Sequence, residues 1–261
     1  MTPRPSAFAA VLVAAAFLTA PPSARADFIT LQYGYNGVGS VNPTVTNSLQ
    51  SNAPTGPFYW HDNNLPPSNL PTPTATFCIE LTPGQYLPSL GTTVVFDAES
   101  LAAAPTINSP AKADAITELY GRYFNTAWNT PATGASSDSI AFQLALWELV
   151  YDGKPISTNK TDLSNGTFSV SPTIGTPYTT AQTWLNSLTG NTSSFNTRFA
   201  GQELVALVAP APGAKQQDQV QDQITMRPKG VVPAPPAVVL AAIGVVGLIG
   251  RSRLTRKAAT V

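Results

Sequence analysis

The chain has 261 residues, only 11% of them charged, with 14 basic and 14 acidic side chains and no net charge. That balance offers no basic field for a nucleic-acid backbone. The single Cys78 excludes an internal disulfide, and the single His61 excludes a histidine-rich metal site. At 43% hydrophobic the chain is too apolar to be disordered throughout, and its length allows one sizeable domain or two small ones. The charges are unevenly placed. All 14 acids fall between Asp27 and Asp222, so residues 27–230 hold 8 basic and 14 acidic groups, net −6, while both ends are basic.

Arg4, the apolar stretch 7–20 and the run Pro21-Pro22-Ser23-Ala24-Arg25-Ala26 have the layout of a secretory signal peptide over 1–26, with cleavage after Ala26. The alternative is an uncleaved anchor, for which the apolar core is short. Phe28–Tyr33 is predicted as an opening strand. The proline-rich stretch from Pro54 to Pro73 excludes a helix and predicts a long ordered loop or an edge. Residues 74–82 are rich in β-formers and end at a Pro83-Gly84 turn, and 92–96 is a further strand.

A helical stretch follows. Ser109-Pro110 supplies an N-cap and a first-turn proline for a helix over Ala111–Trp128, with Ile116, Leu119, Tyr120 and Phe124 on one stripe. Asp138 or Ser139 is expected to cap a second helix, Ile140–Tyr151, which Gly153 stops. Thr179-Thr180 and Gly190 bracket a third, with Trp184, Leu185 and Leu188 inward. Glu203–Val208 and Gln223–Met226 are late strands on either side of a Pro210–Gly213 turn or linker. The expected class is α+β: a loop-rich β-sheet or sandwich with a small helical part, over 27–208, followed by a linker and late strand at 209–230.

Residues 231–261 combine a Pro-rich run, an apolar segment and the basic cluster Arg251, Arg253, Arg256 and Lys257. Ala234–Gly250 is 17 residues, about 26 Å as helix, just short of a ~30 Å hydrocarbon core. One C-terminal transmembrane helix is expected, its basic end cytoplasmic and the acidic body outside. This tripartite end resembles the PEP-CTERM sorting signal, with Val232-Pro233-Ala234-Pro235 where that signal usually has Val-Pro-Glu-Pro. The resemblance implies a bacterial cell-surface or matrix protein, processed by an exosortase-type sorting enzyme and linked to extracellular polysaccharide and biofilm. A plain C-terminal anchor is the alternative.

Two residues of the body stand out. Cys78, between Phe77 and Ile79, is suited to burial as a small hydrophobe, to an intermolecular disulfide or to pairing with a histidine; His61 lies in a proline- and asparagine-rich stretch that predicts an exposed loop. Gln143 lies on a helix that is apolar for most of its circumference and shares a face with Trp147 at i+4. A buried amide must hydrogen-bond or react, because leaving it unsatisfied costs about 1–3 kcal/mol.

Together, Phe77-Cys78-Ile79 and Phe142-Gln143-Leu144-Ala145-Leu146-Trp147 resemble the two signatures of bacterial thioester domains. The resemblance implies a strand cysteine joined to a helix glutamine as an internal thioester, with Cys78 as sulfur donor, Gln143 as acyl partner and Trp147, Phe77 and Phe142 as packing neighbours. It also implies covalent capture of an amine such as lysine on a surface or matrix molecule, with no cofactor and no turnover, so the protein is not an enzyme. Tyr120 and Tyr123 are candidates for a hydroxyl near the pair or for ordinary core aromatics. Glu80, Glu148 and Asp152 could assist proton transfer if they approach the pair, but are read as solvated or helix-end acids and left out of the site. Lys112, Lys154 and Lys160 have no asparagine partner at a telling spacing for an isopeptide bond. The competing reading is a non-covalent matrix or biofilm protein with Cys78 merely packed; a hydrolase has no nucleophile elbow, metal spacing or phosphate loop in its favour.

Overall fold

Alternation of buried and open side chains along β1 (Asp27–Tyr35) puts Ile29, Leu31 and Tyr33 on one face, and β8 (Thr93–Ser100) answers with Val94 and Phe96. The computed structural model describes residues 27–230 apart from 36–38, 46–47, 51–52, 64–69, 82–87, 135, 154–161 and 210–219. The signal peptide, the C-terminal anchor, the Pro83-Gly84 and Pro210–Gly213 turns, and Lys154 and Lys160 therefore lie outside the described residues. Among the described residues no helix is long and apolar enough to cross a membrane.

The chain is α+β, but its main sheet is a closed antiparallel barrel and not a sandwich. Short strands β2 (Gly39–Val41), β3 (Thr44–Val45), β4 (Ser48–Leu49) and β5 (Ala53–Thr55) precede β6 (Phe58–Asp62) and β7 (Thr74–Cys78). With β10 (Gln202–Val208) and β11 (Gln223–Pro228), the barrel order is β1-β6-β7-β11-β10-β8. Closure follows because β1 pairs with both β6 and β8, while β11 inserts between β7 and β10. The late strand thus completes the body. Two small sheets, β2-β5 and β4-β3-β9 (β9, Phe168–Ser169), lie outside the barrel.

Trp60 from β6 is buried against Tyr33 and Phe96 in edge-on contacts of 5.1 and 5.3 Å. Its Nε1 donates to Thr76 Oγ1 at 3.0 Å, which in turn donates to Gln223 Oε1 at 3.0 Å. The stretch predicted as loop or edge therefore contains a central barrel strand: its prolines flank Phe58–Asp62 and leave the aromatic run free to pair. His61 lies on this strand, exposed and opposite Gln32, and not in a loop.

The helical part meets β7 at Phe77, on which Tyr120, Phe124, Trp128 and Phe142 pack. Helix α1 (Pro110–Tyr123) has Ser109 as N-cap, accepting from Lys112 N. It stops short of Trp128 because Phe124 turns extended, and Asn125 caps a separate 3-10 turn, Thr126–Asn129. After a single turn α2 (Pro131–Gly134), the glutamine helix α3 (Ser137–Tyr151) begins three residues earlier than expected. Ser136, and not Asp138 or Ser139, is its N-cap; Ser139 returns the bond from the N3 position, forming a capping box. Helix α4 (Thr176–Ser187) likewise starts early, with Pro177 in its first turn, and Leu185 and Leu188 are buried as expected while Trp184 is half-buried. A short α5 (Ser193–Arg198) had no strong periodic signal. It packs so closely on α1 that a Cβ at Gly121 would stand 2.3 Å from Phe195 N.

Candidate functional site

Cys78 ends β7, and the direction of its backbone groups determines what meets it. Ile79 N–H donates to the Asp222 carbonyl at 2.9 Å, on the β11 side. By the alternation of antiparallel pairing, the Cys78 N–H and C=O face the opposite edge. There the β6–β7 register ends at Phe58↔Thr76, so on that edge no described strand residue pairs with Cys78, whose register partner Gln223 lies on the β11 side. Gln143 of α3 fills the gap: Cys78 N–H donates to Gln143 Oε1 at 3.2 Å, and Gln143 Nε2 donates to the Cys78 carbonyl at 2.7 Å. The carboxamide behaves as one more peptide unit in the ladder. Both residues are fully buried.

The sulfur has its own contacts. Cys78 Sγ donates to the Glu80 carbonyl at 2.8 Å, and Glu80 N–H donates back to Sγ at 3.4 Å. Burial pushes the thiol well above its usual range; the Glu80 backbone N–H and the Trp147 indole N–H oppose this, while the charges of Glu80 and Asp222 add to it. Trp147 is fully buried and its Nε1 makes no hydrogen bond of ordinary geometry among the described residues, so its effect on the sulfur is that of a nearby dipole. The resting thiol is therefore protonated and shielded from water.

Phe77 and Phe142, the chain neighbours of the pair, touch at 4.9 Å, and Phe77 also meets Tyr120, Phe124 and Trp128. Tyr120 belongs to this aromatic cluster, 4.9 Å from Phe142. Tyr123 lies elsewhere, stacked on Trp184 at 4.7 Å with its hydroxyl bonded to Ser187. Lys112 Nζ donates to the Val150 and Tyr151 carbonyls and so caps the end of α3.

Two contributors escaped sequence reasoning. Tyr151 continues the stripe Gln143, Trp147, Tyr151 at steps of four, and its hydroxyl accepts from Leu81 N–H at 2.6 Å, fixing the chain beyond Cys78. That periodicity was a usable signal. Asp222 gave none, being far away in sequence: its carboxyl accepts from Thr106 Oγ1 at 2.7 Å and Ala209 N at 2.9 Å, and its own N–H donates to Glu80 Oε2 at 3.3 Å. Burial pushes its carboxyl up to about 6 despite those donors.

Of the other acids, Asp152 accepts from Thr167 N and Phe168 N at 2.6 and 2.7 Å and ties down β9. Glu148 is not a solvated face: it is buried, its Oε2 has no hydrogen-bond partner among the described residues, and burial, aided by the Asp152 charge, pushes its carboxyl up to about 8. A raised carboxyl pKa means that the folded state binds the proton more tightly, so stability falls as pH rises from the ordinary carboxylate range through about 8. Glu148→Gln should remove that slope, matching wild type in mild acid and exceeding it by about 1–2 kcal/mol above the folded value. Urea titrations across that window measure it; equal slopes for the two proteins would refute the assignment. Among the described residues no group of three or more His, Cys, Asp or Glu side chains is placed to hold a metal ion.

In comparisons with protein-family models, curated proteins and solved structures, nothing matches this chain.

Proposed function

We propose that the protein is an exported, surface-anchored thioester domain in which Cys78 and Gln143 form an internal thioester that captures an amine on a surface or matrix molecule. The observation that carries this reading is the clasp: the carboxamide of Gln143 is hydrogen-bonded to Cys78 itself, in a site that excludes water. Holding two groups in contact replaces a bimolecular encounter with an effective molarity that reaches ~10⁵ M or more in well-oriented systems.

The chemistry balances without a cofactor. Sγ bonds to Gln143 Cδ, the Cδ–Nε2 bond breaks, and the thiol proton leaves with ammonia. Loss of Nε2 releases the Cys78 carbonyl from its donor, so formation opens one ladder bond. An incoming primary amine then attacks Cδ, the S–Cδ bond breaks, and a proton from the amine returns to sulfur, leaving a stable amide. Glu80 N–H and the Trp147 indole are the groups beside the sulfur that would ease its departure. Each molecule reacts once, so this is capture and not turnover. The body's net −6 favours a basic partner at low salt. The end segments, by the sequence features described above, assign export, an exosortase-type sorting enzyme and a membrane-held C-terminus.

A second reading, a non-covalent matrix or biofilm protein, has one observation in its favour: the two ladder-like hydrogen bonds already satisfy the buried amide. Intact mass separates the two. The thioester reading expects freshly prepared protein to be one ammonia lighter than its sequence, methylamine to add its mass at Gln143, and Cys78→Ala to show neither. A full mass with an alkylatable thiol in fresh, unhydrolysed protein would sink it.

A further inference from the structure

We infer that a cleft between α1 and the β7–β11 wall of the barrel binds a neutral, hydroxyl-bearing ring, the chemistry of a sugar unit, independently of the Cys78–Gln143 pair. The cleft measures about 470 Å³, within the ~300–1,000 Å³ of small-molecule sites. Ala75 lines it from β7. Ala75 and Phe77 share one face of that strand and Cys78 projects to the other, so the cleft does not lead to the sulfur.

Three polar side chains at the cleft are uncommitted. Among the described residues the buried Tyr120 hydroxyl has no hydrogen-bond partner, and the carboxamides of Asn129 and Gln202 have none either. Buried polar groups are nearly always satisfied, so an orphan hydroxyl beside a cavity calls for a partner from outside. None of the described lining residues is charged, and an ionic ligand would lose hydration with no countercharge. Each carboxamide sets a donor beside an acceptor, which matches adjacent hydroxyls that both give and accept. Phe124 lines the cleft beside Tyr120, and the partly exposed Met226 offers apolar surface to the C–H face of a ring. An extended peptide fits less well, because both wall strands are paired within a closed barrel and have no free edge for strand addition.

The test is saturation-transfer NMR on the full chain with cellobiose and maltose as probes, beside glucuronate and a capped neutral tripeptide. Saturable transfer to a neutral sugar is expected, weakened about five- to tenfold by Tyr120→Phe, which removes one hydrogen-bonding group. Met226→Trp, which fills the cleft, should abolish it, and Cys78→Ala should leave it unchanged. Tyr120→Phe deletes only an unsatisfied hydroxyl, so that variant should fold at least as stably as wild type, as a melting curve would show. No saturable transfer to either sugar, equal transfer with Met226→Trp, or binding of the tripeptide or glucuronate alone would overturn the assignment.

Discussion

Gln143→Ala is expected to abolish amine capture and to cost the fold about 3–5 kcal/mol, whereas Cys78→Ala abolishes capture at a cost of only about 1–2 kcal/mol. The asymmetry follows from the clasp. Removing the carboxamide strands the N–H and C=O of Cys78, both buried, and leaves a cavity on α3. Removing the sulfur deletes one heavy atom and leaves the backbone bonds to Gln143 intact. Urea denaturation of both variants beside wild type measures the difference, and intact mass after methylamine measures capture. Equal destabilisation would mean that the carboxamide does not hold the end of β7. Capture surviving in either variant would remove the pair from the chemistry altogether.

The same geometry explains why a structural glutamine and a reactive one are hard to tell apart by inspection. The bonds that satisfy the amide also bring its carbon to the cysteine. Under the proposed function their energies would have the same sign until a thioester formed, when the donor to the Cys78 carbonyl would be lost with ammonia. Formation would therefore have to offset one buried hydrogen bond, on the order of 1 kcal/mol.

How much of this was legible depended on whether the signal was local. The capped α1 and the buried glutamine helix follow from periodicity and capping chemistry within a dozen residues, and the late strands from runs of β-formers. The barrel did not, because closure rests on β11 entering between β7 and β10, a pairing without any sequence signature. Phe58–Asp62 was hidden by the prolines around it, although the strand itself contains none. The candidate site divides the same way. Cys78 and Gln143 are singular residues in apolar runs and invite attention; Asp222 reaches the site only through tertiary pairing. Glu148 and Glu118 were legible as acids on helices but not as buried ones, since burial of their faces depends on the helices that cover them.

Glu118 carries the second large effect. It lies on α1, 2% exposed, and its carboxylate accepts from the backbone N–H of Thr189, Gly190 and Asn191 at 2.7, 2.5 and 3.1 Å. Thr189 Oγ1 and Arg122 Nη1 donate as well, at 3.2 and 3.0 Å. One side chain thus anchors the whole α4–α5 connection to α1. Burial by itself would raise this carboxyl, but the donors from Thr189, Arg122 and Gly190 outweigh it and hold the group below its usual range. With the folded value depressed, the stabilisation is present above the unfolded carboxylate range and is lost as pH falls through the folded value. Glu118→Ala should cost about 3–5 kcal/mol at neutral pH, because it leaves several donors buried without a partner. Arg122→Ala should cost about 1 kcal/mol, since Arg122 is one of several donors to the carboxylate and is itself exposed. Glu118→Gln, which keeps the shape and part of the hydrogen bonding, should fall between them and approach wild type as the pH is lowered. Urea denaturation at neutral pH and in acid decides it: an alanine variant no weaker than Arg122→Ala would show that the connection is held by something other than this carboxylate.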